Sequence, residues 1–429
     1  MNPAGKRFGL AGTLAKGMIS QVILSAANFT VGLLLLRYTS NDQYGYYVLV
    51  FSGILMLTSL QGAFVGPAMV NQLTRLGAEQ RSDLIGGLYA GQRRAVVCLV
   101  AIAAVGIVIM RAFREFDSMM TWLLLTALAA GSTALYRQFF RMVSNGYRNA
   151  TASLRGDIVY VALLLCGAGV SIATSVPTIV IVTFMSVASL AAGRENSRLM
   201  RRHETWNVHA STRVWRGIAA VGMWTATGSL ATSAFNQGYN YLIAGVVNLT
   251  AVAALAATRM LMMPVNLLST GVSSLMLATV AGWLRDRGVR GTLRRVALSA
   301  LGMAALAIIY AALFWPVRGF IFASILRKDF AQRDLLLVVW WLASLAMLAR
   351  DQFVNFLLAR TRYRPLTVLT VISALVALAV TGGTIGRVGP VGAAMGVLVG
   401  EITNVLGLIT LSWLEVRREP VGLARIASP

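Results

Sequence analysis

The chain has 429 residues, 57% of them hydrophobic and only 12% charged, and its net charge is +23. A soluble domain is about 25% charged, so this chain lacks the polar groups to cover a water-soluble fold of its size. A soluble enzyme is excluded, and so is a disordered chain. A strongly basic balance points either to nucleic acid or to loops retained on the cytoplasmic side of a membrane. The longest charged loop, about 194–216, is too short for a folded basic domain, which favours the membrane reading and predicts no nucleic-acid partner.

In chain order, apolar runs able to span a bilayer, which takes about 20 residues, lie at 15–37, 44–72, 88–110, 120–142, 155–174 and 177–194. They continue at 217–246, 250–283, 295–316, 334–359, 365–383 and 389–414. The runs are too long and too continuous for the alternating strands of a barrel. The first is too long for the hydrophobic segment of a signal peptide and lacks an A-x-A-type cleavage site. The expectation is an all-α integral membrane protein with about twelve transmembrane helices. Cys98 and Cys166 sit in apolar runs and read as small buried hydrophobes. His203 and His209 share one charged loop with no second cluster, so no metal site is expected. The tyrosines Tyr38, Tyr44, Tyr46 and Tyr47 read as an interfacial aromatic belt.

With the N-terminus placed in the cytoplasm, the loops on that side collect most of the lysines and arginines. The opposite side receives only Arg37, Arg111, Arg114, Arg318, Arg327, Lys328, Arg333 and Arg387, and Arg259 is left inside a span. This asymmetry predicts both termini in the cytoplasm and an even number of spans.

The chain divides at the basic loop into an N-lobe over 1–194, a linker over 195–216 and a C-lobe over 217–429, with six helices in each lobe. A shift of 208 residues places Ser25 on Ser233, Asn28 on Asn236, Gln21 on Ser229 and Gln61 on Ser269. A shift of 214 places Gln138 on Gln352 and Arg148 on Arg362. Six plus six with matching polar positions suggests parallel repeats related by a pseudo-two-fold axis along the membrane normal, with a substrate path between lobes and alternating access.

Polar residues inside the spans are the candidate site. Gln21, Ser25 and Asn28 share one face of the first helix, and Thr225, Ser229, Ser233, Asn236 and Asn240 recur at similar spacing in the seventh. They read either as a cavity wall or as interhelical hydrogen-bond glue. Arg137 and Arg141 are an i, i+4 pair that either contacts substrate or reaches the boundary. Arg259 either contacts an anion or snorkels. Arg350 and Asp351 are adjacent and point about 100° apart on a helix, so they need not pair. Glu401, near mid-span, is the leading candidate for an ion-coupling carboxylate, with Asp157 and Asp351 as others. A structural pair between Glu401 and an arginine competes with that role. Gly66-Pro67 and Pro264 are candidate kinks. No nucleotide-binding loop, metal motif or cofactor site is apparent, so transport without ATP is the remaining class.

The stretch from Leu36 through Arg37-Tyr38 to Tyr44-Gly45-Tyr46-Tyr47 resembles the first hairpin of polysaccharide flippases, the Wzx-like members of the multidrug/oligosaccharidyl-lipid/polysaccharide exporter superfamily. Arg137-Gln138-Phe139-Phe140-Arg141 through Asn145-Gly146-Tyr147-Arg148 resembles that family's helix 4 to 5 segment. Gly389-Pro390-Val391-Gly392-Ala393-Ala394 resembles its Gly-rich approach to the last helices. The resemblance implies translocation of an undecaprenyl-diphosphate-linked oligosaccharide from the cytoplasmic to the periplasmic leaflet of a bacterial inner membrane, in exopolysaccharide, capsule or O-antigen synthesis. It further implies proton or sodium coupling through Glu401 or Asp157, and work beside a polysaccharide polymerase and export complex. Arginine forks would take the diphosphate, the Ser and Asn groups would bond sugar hydroxyls, and the lipid tail would stay among membrane lipids.

Three other readings compete. A cation-coupled multidrug exporter of the same superfamily would favour acids over arginines in its spans. A polysaccharide polymerase or ligase would carry a large outer loop, whereas the longest here is about 316–334. A membrane scaffold would leave Arg259 and Glu401 without a purpose.

Overall fold

The apolar runs fold as helices whose ends are set by local chemistry. The computed structural model describes residues 3–73, 75–113, 115, 117–147, 149–201, 205–207 and 214–418. His203, His209 and Arg148 lie outside the described residues. The helices are α1 (Pro3–Tyr38), α2 (Asn41–Leu73), α3 (Ala78–Ala112), α4 (Ser118–Gly146), α5 (Ala150–Ser171), α6 (Pro177–Arg201) and α7 (Val214–Ser233). A π-helical turn, Ala234–Gly238, joins α7 to α8 (Tyr239–Val246). Then come α9 (Leu249–Met260), α10 (Met263–Phe320) with a π-helical end at Ile321–Leu326, α11 (Arg333–Ala359), α12 (Tyr363–Val388) and α13 (Pro390–Arg418).

Caps explain many of the starts. Asp117, Asn149 and Asn248 each accept a hydrogen bond from the backbone N–H three residues on, at 2.6, 3.1 and 2.8 Å, satisfying donors that a helix N-terminus otherwise leaves open. Pro177 and Pro390 open α6 and α13, where a missing N–H costs nothing.

Among the described residues nine helices are long and apolar enough to cross a membrane, and a tenth span forms if α9 and the start of α10, which meet at 52°, count as one. The 27-residue α11 and the α7–α8 segment are also of spanning length, so about twelve passes result. The most apolar eighteen-residue stretch of α3 has a mean hydropathy of 2.6, and none of it is buried. Val97, Leu99, Ile102, Val105 and Val108 of that helix are all exposed. A contiguous apolar surface of this kind is stable against lipid and not against water. The protein is a multi-pass all-helical membrane protein.

Two compact units divide at Ser233 and Ala234, within the seventh span. The reason is that α7 packs along α2. Thr225 donates to the Ala63 carbonyl at 2.6 Å, and the Ser229 and Ser59 hydroxyls lie 3.0 Å apart. In the first unit, Val65, Met69 and Leu73 of α2 pack with Ile85 and Leu88 of α3 and with Phe139, Phe140 and Val143 of α4. In the second, Met276, Val280, Val289 and Val296 of α10 pack with Phe353 and Phe356 of α11 and Leu408 of α13.

Several expectations are revised. Pro67 does not break α2, which is continuous through it, whereas Pro264 opens α10 after the 52° bend. The charged break expected at 284–294 contracts to one residue. Gly288 has φ 66° and ψ −176°, a region open only to glycine, and α10 doubles back there, bringing Ser299 against Met276. Most of the outer loop expected at 316–334 is helical, leaving residues 327–332. Tyr44 and Tyr47 are buried rather than interfacial. Their spacing with Phe51 puts all three on the inner face of α2, where Tyr47 stacks on Phe51 at 5.8 Å. Cys98 and Cys166 are free and exposed rather than buried, because the apolar exterior of a membrane protein takes residues that a soluble fold would hide.

Candidate functional site

In the first unit α1, α4 and α5 bring the polar face of the first span to the arginine pair of the fourth. Gln21, Ser25, Asn28, Arg137, Arg141 and Tyr160 line a cavity of about 210 Å³. The helical repeat makes this possible. Gln21, Ser25 and Asn28 fall on one side of α1, and Arg137 and Arg141 are one turn apart on α4. The Oδ1 of Asn28 is shielded and accepts no hydrogen bond.

Asp157 of α5 anchors the two arginines. Its side chain is 1% exposed, and it meets Arg141 Nε at 3.3 Å and Arg137 Nη2 at 4.0 Å. Ser20 donates its hydroxyl to the same carboxylate. The Arg137 guanidinium lies 3.6 Å from the Tyr160 ring centroid, a contact that offsets part of its desolvation. One carboxylate therefore faces two guanidiniums, and no acid is among the cavity-lining residues. The surplus is one positive charge.

In the second unit two further groups of the expected residues come together. Arg350 donates from Nη1 to Glu401 Oε1 at 2.7 Å, and from Nε and Nη2 to Asp351 Oδ1 at 3.1 and 2.9 Å. The neighbours Arg350 and Asp351 thus pair despite their diverging Cβ directions, because the long arginine side chain folds back. Ser269 donates to Asp351 Oδ2 at 2.5 Å. The second oxygen of Glu401 is buried without a partner.

Arg259, in the last turn of α9, reaches the π-helical turn. It donates to the Asn236 carbonyl at 2.8 Å and to the Tyr239 hydroxyl, and lies 5.3 Å from the Trp340 ring centroid. A π turn leaves backbone carbonyls short of their usual donors, and a guanidinium can supply one. The carboxylates of this unit's cluster, Asp351 and Glu401, both pair with Arg350. Asn240 is buried and donates to Gln237 at 3.4 Å, and Ser233 is buried at the end of α7.

The structure thus gathers Ser25, Asn28, Arg137, Arg141 and Asp157 in one place. It gathers Asn236, Asn240 and Arg259 around the π turn, and Arg350, Asp351 and Glu401 in an ion cluster. The seventh-span stripe is split, since Thr225 and Ser229 bond to α2. Ser20, Tyr160, Tyr239 and Trp340 were not anticipated, and Ser269 was expected only as a matching position of the repeat. They are ordinary residues within apolar runs, and only their position beside an arginine or carboxylate singles them out.

No protein-family model matches the chain, and no curated protein does. Solved structures do match in fold. The chain superposes on an inward-facing multidrug resistance MATE family transporter of the MOP superfamily with a TM-score of 0.74 at 12% identity, covering 94% of this chain and 98% of that one. It has the MOP transporter fold. It superposes also on the lipid II flippase MurJ in an inward closed conformation, with a TM-score of 0.71 at 12% identity, over 94% of this chain and 87% of that one. A MOP superfamily transporter from Pyrococcus furiosus, described by a reversed polarity of its binding pocket, matches with a TM-score of 0.63 at 13% identity, over 95% of this chain and 94% of that one. These three structures are of transporters and a flippase.

Proposed function

We propose that the chain is a flippase for a polyprenyl-diphosphate-linked oligosaccharide in a bacterial inner membrane, working by alternating access with both termini in the cytoplasm. The observation that carries this reading is the surplus positive charge at the first-unit cavity. Arg137 and Arg141 are only partly satisfied by Asp157, and each retains donors able to fork onto a phosphate. Gln21, Ser25 and Asn28 beside them suit sugar hydroxyls. MurJ, a lipid II flippase, shares the fold. The six-plus-six repeat and the N-lobe, linker and C-lobe division at 1–194, 195–216 and 217–429 belong to the same proposal, as do a downstream polymerase and export complex.

A second reading, a cation-coupled multidrug exporter, is favoured by the buried carboxylates Asp157 and Glu401 and by the fold shared with a MATE transporter. Pocket polarity distinguishes the two, and the Pyrococcus furiosus transporter is itself described in those terms. A cavity with excess positive charge repels cationic drugs and attracts diphosphates.

The test is Arg141→Ala, followed by the accumulation of lipid-linked glycan on the cytoplasmic side. At normal protein levels flipping should fall about tenfold, the loss of one charge-assisted contact. Wild-type flipping would remove the cavity from the substrate path. Export of a cationic dye that Asp157→Asn abolishes would favour the exporter.

A further inference from the structure

A second pocket of the first unit is lined by Arg194, Ser197, Arg198 and Arg201 of α6 and Tyr136 of α4, and measures about 530 Å³. The three arginines are spaced i, i+4, i+7, so they share one face of α6, and all three are exposed. No Asp or Glu lines the pocket. This sets it apart from the other arginine clusters, where Arg350 folds onto Asp351 and Glu401, and Arg360 and Arg362 close on Glu415.

The pocket has a built floor. Tyr136 and Ser197 both line it, and Ser197 is buried. Gly193 lets α6 lie against Tyr136, because a Cβ there would overlap the tyrosine ring. Arg201 stacks 5.4 Å from Trp206, which itself stacks on Phe140 at 5.5 Å. One edge of the triad is therefore held in place.

The same face of α6 reports depth in the membrane. Val187, two turns before Arg194, is exposed and apolar, as a lipid-facing position requires. At 1.5 Å per residue the arginines begin about 10 Å further along the axis. That shift carries the face from acyl chains to the level of headgroups, where tryptophan also concentrates. Basic pockets between spans at this level suit phosphate-bearing headgroups.

We infer that Arg194, Arg198 and Arg201, with Tyr136 and Ser197 beneath them, form a binding site for a phosphate-bearing lipid headgroup. The guanidiniums clamp the phosphate oxygens by forked bonds, and the acyl or prenyl chain runs along the apolar face marked by Val187. The site stands whether or not the proposed substrate is correct, since anionic phospholipid and polyprenyl diphosphate share the chemistry.

The test is native mass spectrometry of the detergent-solubilised full-length chain titrated with phosphatidylglycerol, undecaprenyl diphosphate and zwitterionic phosphatidylcholine. The variants are the triple Arg194→Gln, Arg198→Gln, Arg201→Gln and a control, Arg93→Gln with Arg94→Gln, which removes exposed charge from α3. The triple variant should lose binding of at least one anionic lipid about tenfold, with phosphatidylcholine adducts unchanged and the control like wild type. Loss for undecaprenyl diphosphate alone marks a substrate-loading site, and loss for phosphatidylglycerol a regulatory lipid site. Equal anionic-lipid binding by the triple variant and wild type, or an equal loss in the control, would overturn the assignment. Failure of the Arg141→Ala flipping test would leave this result untouched.

Discussion

Arg350 of α11 and Glu401 of α13 are joined at 2.7 Å, with the glutamate side chain only 4% exposed. A pair of this kind is held by geometry more than by net energy. Breaking it from one side strands a buried charge, whereas replacing both partners by apolar groups is often neutral. Arg350→Met should therefore cost about 3 kcal/mol, read as a lower melting temperature in detergent. The double variant Arg350→Met, Glu401→Leu should recover part of the loss, because Asp351 then keeps only its Ser269 bond. A single variant that melts like wild type would show that the pair contributes no rigidity.

If Glu401 is the coupling carboxylate, Glu401→Gln should make transport in proteoliposomes insensitive to an imposed proton gradient while a residual downhill flux persists. Asp157→Asn should leave the gradient dependence in place, because Asp157 is already engaged by its two arginines and Ser20. An unchanged gradient response in Glu401→Gln moves the coupling role to Asp157 or Asp351.

Arg259 ties α9 to the π turn through Asn236 and Tyr239. A lysine keeps the charge but not the planar fork. Arg259→Lys and Arg259→Ala should both lower transport about tenfold at unchanged protein levels. Full activity of the lysine variant would mean that only the charge matters.

Gly288→Ala places a Cβ on a backbone at φ 66° and ψ −176°. The α10 hairpin should lose about 1–3 kcal/mol, measurable as a lower unfolding midpoint and as proteolysis near residue 288. An unchanged midpoint would indicate that the turn relaxes to another conformation.

Gly392, Gly396 and Gly400 recur every fourth residue on the face of α13 that meets α12. A Cβ at Gly396 would collide with Thr381 and the Ala377 carbonyl. Such small-residue seams let membrane helices approach backbone to backbone. Gly396→Val should sharply reduce the yield of folded protein, whereas Gly386→Ala, with open space around it, should be neutral. Equal yields would argue against a tight α12–α13 seam.

Much of the fold was legible because lipid imposes one rule. Any run of about 20 apolar residues must satisfy its backbone internally, and a helix does so without a partner. The runs at 44–72 and 177–194 therefore appear as α2 and α6, with ends shifted by up to three and seven residues respectively. Caps follow the same local logic. Ser40 accepts from the Gln43 N–H at 3.3 Å and Asn248 from the Ala251 N–H at 2.8 Å, and the two caps are 208 residues apart, which adds support to the proposed repeat. Gly288 went unread because its charged neighbours suggested a loop, and a one-residue turn leaves no compositional trace.

Sequence alone determined that this chain is helical, membrane-spanning and sparing with its charges inside the bilayer, since hydropathy and helical spacing are properties of consecutive residues. Tertiary structure decided what those charges do. It set Arg141 against Asp157 and Arg350 against Glu401, turned Thr225 and Ser229 toward α2, and left a surplus positive charge at one cavity. An arginine side chain can turn back on its neighbour or across to another helix, and only the packing of the helices chooses between them.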